Sequence, residues 1–131
     1  MIRVQTIALQ PNLSAFDEQF LEKMIAIIEQ NVDNDSFSVA TLGNILNMSR
    51  STLFRKVKHL TGQKPIDIVI ELRMLLAKKL LLEQQLSVSQ ISYEVGFKTA
   101  SSFTKSFKKK FGKSPSHFLK DQQQQQIDEF I

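Results

Sequence analysis

Two clusters of hydroxyl and cationic side chains recur about fifty residues apart. The first holds Ser51, Thr52, Arg55 and Lys58, with Arg50 beside them; the second holds Ser101, Ser102, Lys105 and Lys108, flanked by Lys98, Thr99 and Lys109. Ser51, Arg55 and Lys58 stand at i, i+4 and i+7, as do Ser101, Lys105 and Lys108, so each set shares one face of a helix. Short hydroxyl side chains allow close approach, and Arg or Lys supplies charged donors. Such a face can hold phosphates and reach the O6 and N7 atoms of guanine in a major groove. The plainer reading of either helix alone is a solvated basic face.

Bond-making chemistry finds no support. There is no cysteine, so no thiolate site, thiol nucleophile or disulfide framework, and His59 and His117 are the only imidazoles, too few for a multi-histidine metal site. Carboxylates such as Asp17 and Glu22 lie on a helix surface without a base or nucleophile. No glycine-rich phosphate loop or receiver-type phospho-acceptor is present. The expectation is therefore a non-enzyme without cofactor or metal.

Charge is segregated along the chain. Residues 1–37 carry two bases and six acids, residues 38–120 fifteen bases against four acids, and residues 121–131 three acids and no base, for a net +4. The middle thus has a surplus of eleven positive charges facing a polyanion. Nucleic acid fits; so, on charge alone, do an acidic protein and an anionic lipid. Lys78 and Lys79 interrupt the greasiest stretch before it reaches the roughly 18–20 residues of a membrane span. The N-terminus has no uninterrupted apolar segment of signal-peptide type. These features predict a cytoplasmic chain without direct membrane contact.

The elements that must carry the clusters read as helices, since only four glycines and three prolines are available for turns. Ser14 caps a first helix whose stripe is Phe16, Phe20, Met24, Ile27 and Ile28. Ser38 caps a short helix over 39–46, and Asn47-Met48 forms a turn. Ser49 caps a helix to about Thr61, where Gly62 stops it. Pro65 opens a long helix to about Gln84, with Val69, Leu72, Leu76 and Leu80 on one side and a length of roughly 30 Å. A short helix then runs over 88–95 to a Gly96-Phe97 turn. Thr99 caps a helix to Phe111, stopped by Gly112, and a last helix starts near Ser114-Pro115. The glutamine run 122–126 is either a frayed helical extension or disordered.

The two short-helix units superimpose. An offset of 49 sets Leu42, Leu46, Asn47 and Met48 on Ile91, Val95, Gly96 and Phe97, and an offset of 50 sets Ser49, Leu53, Val57, Gly62 and Pro65 on Thr99, Phe103, Phe107, Gly112 and Pro115. One extra residue therefore enters the second turn, where insertion costs least. A short helix, a tight turn and a capped second helix make a helix-turn-helix, and two in register within the basic region strengthen the assignment. Leu53, Val57 and Leu60, and Phe103, Phe107 and Phe111, are then core. The predicted fold is all-α, two helix-turn-helix subdomains joined by a long helix. Its parts are 1–13 (extended lead-in or linker), 14–64, 65–85 (connecting helix), 86–120 and 121–131 (low-complexity tail).

Over about 16–120 these residues resemble the DNA-binding domain of AraC/XylS-family bacterial transcription regulators. The resemblance rests on Ser49, Leu53, Arg55, Lys58, Gly62 and Pro65, on Arg73, Ala77, Leu80 and Leu81, and above all on Ile91, Gly96-Phe97, Phe103, Phe107-Lys108, Phe111-Gly112 and Ser114-Pro115. It implies a homeodomain-like fold of about seven helices, and activation of transcription at promoters with RNA polymerase as a partner. The stretch 49–65 is similar to the C-terminal output domain of Bacteroidetes hybrid two-component sensors. That likeness implies sensor and receiver domains upstream. Ser92 replaces the family's usual Ala, Lys105 replaces a common Arg, position 100 is Ala and the second reading helix is short of amide side chains. The analogy thus implies looser base readout there and a larger share of phosphate contact.

These readings assign base edges to Ser51, Thr52, Arg55, Ser101, Ser102 and Lys105, and phosphates to Arg50, Lys58, Lys98, Thr99, Lys108 and Lys109. The partner is double-stranded promoter DNA, its two half-sites about one turn apart. The alternative is a helical interaction module docking an acidic protein. Phe54 either packs or touches a thymine methyl, His59 is a solvated residue near a helix end, and Arg73 braces nearby backbone or an acid of another helix.

Overall fold

A computed structural model describes residues 13–130; the lead-in or linker expected at 1–13 lies outside these residues as far as position 12. Seven helices follow one another, and no strand occurs among the described residues. They are α1 (Ala15–Gln30), α2 (Val39–Ile45), α3 (Arg50–Thr61), α4 (Pro65–Glu83), α5 (Val88–Glu94), α6 (Ala100–Phe111) and α7 (Pro115–Phe130). The all-α class with two helix-turn-helix units is the observed one. None of these helices is long and apolar enough to cross a membrane.

Side-chain caps fix where the helices begin. Ser14, Ser38, Ser49, Ser87 and Thr99 each accept a hydrogen bond from the backbone N–H three residues on. Each removes one unsatisfied donor from a helix start. At α5 the bond is reciprocated, because Gln90 Oε1 accepts from the Ser87 N–H at 2.8 Å. That capping box was readable as a serine and glutamine three apart.

The chain forms two compact units, the first ending at Leu72 and the second beginning at Arg73. In the first, α1 packs on α2 and α2 on α3. Its core is mainly aliphatic: Leu21, Met24, Ile25 and Ile28 of α1 with Phe37, Leu42, Leu53, Val57 and Leu60. The α1 stripe departs from the expected one. Phe16 is 83% exposed, and Phe20 and Ile27 are only half-buried. The buried set Leu21, Met24, Ile25 and Ile28 obeys i, i+3, i+4, i+7 spacing, and Phe16 lies about 130° around the helix from its centre.

The second unit packs α5 on α6 and α6 on α7. Its centre is aromatic: the Phe107 ring lies 5.9 Å from Phe103, 4.5 Å from Phe111 and 5.7 Å from Phe118. Phe103 and Phe107 are fully enclosed, whereas Phe111, expected as core, is half-buried. The Lys78 ammonium lies 5.7 Å from the Phe111 ring, a cation–π contact on its open side. The single stripe expected on α4 is also replaced. Ile68, Val69 and Leu72 are buried in the first unit and Met74, Ala77 and Leu81 in the second, while Leu76 and Leu80 are half-buried. One stripe presumes one core, and there are two. The glutamine run is helical, forming an exposed continuation of α7.

Candidate nucleic-acid interface

Both turns are built by the same hydrogen bonds. After α2 the chain reverses at Asn47, whose φ is +55°; its N–H donates to Asn44 O at 3.2 Å, and the Met48 N–H donates to Gly43 O at 2.9 Å. After α5 it reverses at Gly96, whose φ is +83°, with Gly96 N–H to Tyr93 O and Phe97 N–H to Ser92 O, each 3.0 Å. This bond pair closes a helix through a left-handed residue, a conformation open to glycine and, among side-chain residues, best tolerated by asparagine. The extra residue of the second turn is Lys98, between the reversal and the Thr99 cap.

Each turn delivers a twelve-residue helix with one buried and one solvated side. α3 buries Leu53, Val57, Leu60 and Thr61. Arg50, Ser51, Thr52, Arg55 and Lys58 are all exposed. α6 buries Phe103 and Phe107. Ser101, Ser102, Lys105, Lys108 and Lys109 are exposed, as are Lys98 and Thr99 ahead of it. Within each unit, then, the expected site residues come together on the solvated side of the turn and its second helix.

The hydroxyls are pre-arranged. Ser49 Oγ donates to Thr52 Oγ1 at 2.8 Å, and Thr99 Oγ1 donates to Ser102 Oγ at 3.0 Å. Thr52 and Ser102 thus keep a free hydroxyl proton to give outward. The helix ends also correspond. Gly62 and Gly112 are left-handed, at φ +74° and +80°, and their N–H groups donate to Lys58 O and Lys108 O at 2.8 Å. Lys58 Nζ donates to Gly62 O at 3.0 Å, so this cation also closes its own helix. Lys108, Lys109 and Lys110 crowd the last turn of α6, where positive charge suits the helix dipole.

Other residues fall into place. Arg73 donates through Nη1 to Gly96 O at 3.1 Å, and its guanidinium carbon is 6.0 Å from the Phe97 ring. The backbone contact expected for it is present, and the backbone is that of the second turn. The Lys56 ammonium lies 4.3 Å from the Phe20 ring. His59 is exposed as expected, and Phe54 is 42% exposed beside Arg55. Lys110 is an exposed base of α6 that spacing alone did not single out. Among the described residues, no cluster of His, Asp or Glu could hold a metal ion.

A pair of capped helices about a left-handed turn, made twice, defines a double helix-turn-helix protein. A family model described as a helix-turn-helix domain matches residues 42–121, and the chain belongs to that family, in its AraC/XylS form. It is a DNA-binding domain of transcription regulation. Histidine kinase P4 of Formosa agariphila is 42% identical over 106 residues, which is 81% of this chain and 8% of that protein. The Msm operon regulatory protein of Streptococcus mutans is 38% identical over 86 residues, 66% of this chain and 31% of that protein. The chain therefore spans under a third of either relative. The C-terminal domain of AraT, a response regulator from Geobacillus stearothermophilus, superimposes with a TM-score of 0.75 at 26% identity, covering 84% of this chain and 88% of that one. The DNA-binding domain of AdpA, solved in complex with a target DNA, gives 0.71 at 28% identity, covering 76% and 88%.

Proposed function

We propose that this chain is the sequence-specific output module of a longer bacterial transcription regulator. It works in the cytoplasm and activates promoters alongside RNA polymerase. Residues 14–64 and 86–120 act as reading units, 65–85 as their connection and 121–131 as a tail. The observation that carries this reading is the matched exposure of a hydroxyl-plus-cation face on α3 and on α6, behind turns of the same hydrogen-bond design.

Each unit offers its second helix to a major groove, giving two contact boxes near 10 base pairs apart. Arg50, Lys58, Lys98, Thr99, Lys108 and Lys109 hold phosphates and set register, while Ser51, Thr52, Arg55, Ser101, Ser102 and Lys105 meet base edges. A sensor or receiver elsewhere in the parent chain supplies the signal, which suits the small share of its relatives that the chain spans. The test is a mobility shift on genomic fragments over a salt series. Binding that weakens steeply with salt, and persists against random-duplex competitor at selected fragments, is expected. Equal retention by an acidic polypeptide would transfer the basic face to a protein partner.

A further inference from the structure

The two reading helices are alike in more than outline. At an offset of 50, Ser51 matches Ser101, Thr52 matches Ser102, Arg55 matches Lys105 and Lys58 matches Lys108, and all eight are exposed. The cap hydroxyl orients its partner in the same way in both, Ser49 onto Thr52 and Thr99 onto Ser102. One residue before the cation stands a group with apolar surface, Phe54 (42% exposed) in α3 and the half-buried Thr104 in α6. Phenyl and threonine methyl groups both suit the C5-methyl of thymine, and both Arg and Lys suit guanine O6 and N7.

Building on the DNA-binding reading above, we infer that the operator consists of two boxes of similar sequence, each centred on a guanine with a thymine next to it. Two helices presenting the same donors from the same turn make the same demand on the groove each enters. The chemistry also predicts where the boxes differ. Arg55 can grip guanine through two parallel bonds, whereas Lys105 is a single point charge, so the first box is the stricter. Arg50 has Ala100 as its counterpart, and His59 has Lys109. The first unit thus has a cation on the first residue of its second helix where the second has none, and the second has an added lysine near its helix end.

Selection of bound duplexes from a random pool, with the whole chain, decides the matter. The expected product is one footprint with two boxes that share the guanine–thymine step, its conservation being sharper in one box. A footprint whose boxes have no step in common overturns the inference while leaving DNA binding intact; a pool with no enriched sequence removes both. The double variant Phe54→Thr, Arg55→Lys then gives α3 the side chains of α6 at solvent-facing positions. It should relax guanine discrimination roughly tenfold in the sharper box alone, bringing it level with the other. An unchanged sharper box would show that these residues do not read it.

Discussion

The two helix-turn-helix units reach one geometry with different materials. The first has an aliphatic core and a short turn whose left-handed residue is Asn47; the second has a phenylalanine core and a longer turn on Gly96. The bonds closing the two turns agree within 0.2 Å, Met48 N–H to Gly43 O at 2.9 Å against Phe97 N–H to Ser92 O at 3.0 Å, and Asn47 N–H to Asn44 O at 3.2 Å against Gly96 N–H to Tyr93 O at 3.0 Å. Turn geometry and helix caps therefore decide where the exposed hydroxyl-and-cation face points, and the core beneath need only fill its space. Rings hold more area per residue than aliphatic chains, which lets a unit with fewer core residues stay closed.

The largest effect should come from the aromatic side. Phe107→Ala removes the ring that meets Phe103, Phe111 and Phe118 and should cost about 3–5 kcal/mol. Val57→Ala, at the matching position of the first unit, should cost about 2 kcal/mol. Residue-resolved amide exchange should place the Phe107 loss in α5–α7 and the Val57 loss in α1–α3. Equal loss of protection throughout either variant would show that the units open together and undo the contrast.

On DNA the ranking should reverse, because Arg55, the proposed stricter reader, is in the aliphatic unit. Arg55→Ala should cost about 1–3 kcal/mol on the selected operator and relax one base pair. Lys105→Ala should cost less and do so more evenly across sequences, its larger share being charge. Titrations on operator and scrambled duplex check both. If Lys105→Ala proves the more sequence-selective lesion, the roles of the two helices are exchanged.

The turns can be set against each other directly. A Cβ on Gly43 would meet the Met48 carbonyl oxygen at 2.9 Å, and that neighbour is backbone. Gly43→Ala should therefore cost about 1–3 kcal/mol by crowding. The matching position already holds Ser92, fully buried, its hydroxyl donating to Ser89 O at 2.6 Å. Ser92→Ala should lose roughly 1 kcal/mol, one hydrogen bond without a clash. Thermal unfolding of both variants measures the difference, and a Gly43→Ala variant as stable as the parent would deny that the shorter turn is the tighter one.

Much of this was legible in the sequence because it is local. Caps, stop glycines, the reversal at Asn47 and the extra residue near Lys98 depend on neighbours within a few positions. The exposed faces followed from spacing for the same reason. What escaped depends on contacts distant along the chain. The expected α1 stripe joined apolar residues at permitted intervals, yet only packing within the first unit decides that Leu21 is in and Phe16 out. The single stripe on α4 missed that Leu72 and Met74 belong to different cores. Arg73 meets a carbonyl 23 residues away, which no interval in the sequence announces. The hydroxyl bridges from Ser49 and Thr99 were hidden because residue type alone does not say which proton is already given.

The smallest predicted effect isolates an ion pair of the second unit whose lysine has a glutamine as its counterpart in the first. Lys113 Nζ donates to Asp121 Oδ2, and His117 Nε2 lies 3.7 Å from the other carboxylate oxygen. The bond from Lys113 holds the Asp121 carboxyl below the usual aspartate range, helped by the charges of Lys113, His117 and Lys120 and opposed by partial desolvation. Since the folded form favours the carboxylate, its contribution is complete above the unfolded aspartate value, about 3.9, and fades as pH falls through the lower folded value. The side chains of both partners are 41% exposed, so solvent keeps the effect small. In the first unit Gln63 stands where Lys113 does, so that position supplies no cation. Amide exchange at the start of α7 should therefore quicken between pH 5 and pH 2 relative to the start of α4, and Asp121→Asn should remove that difference. An acid response equal at both helix starts, or one surviving in Asp121→Asn, would assign it to charge on the whole chain instead of this pair.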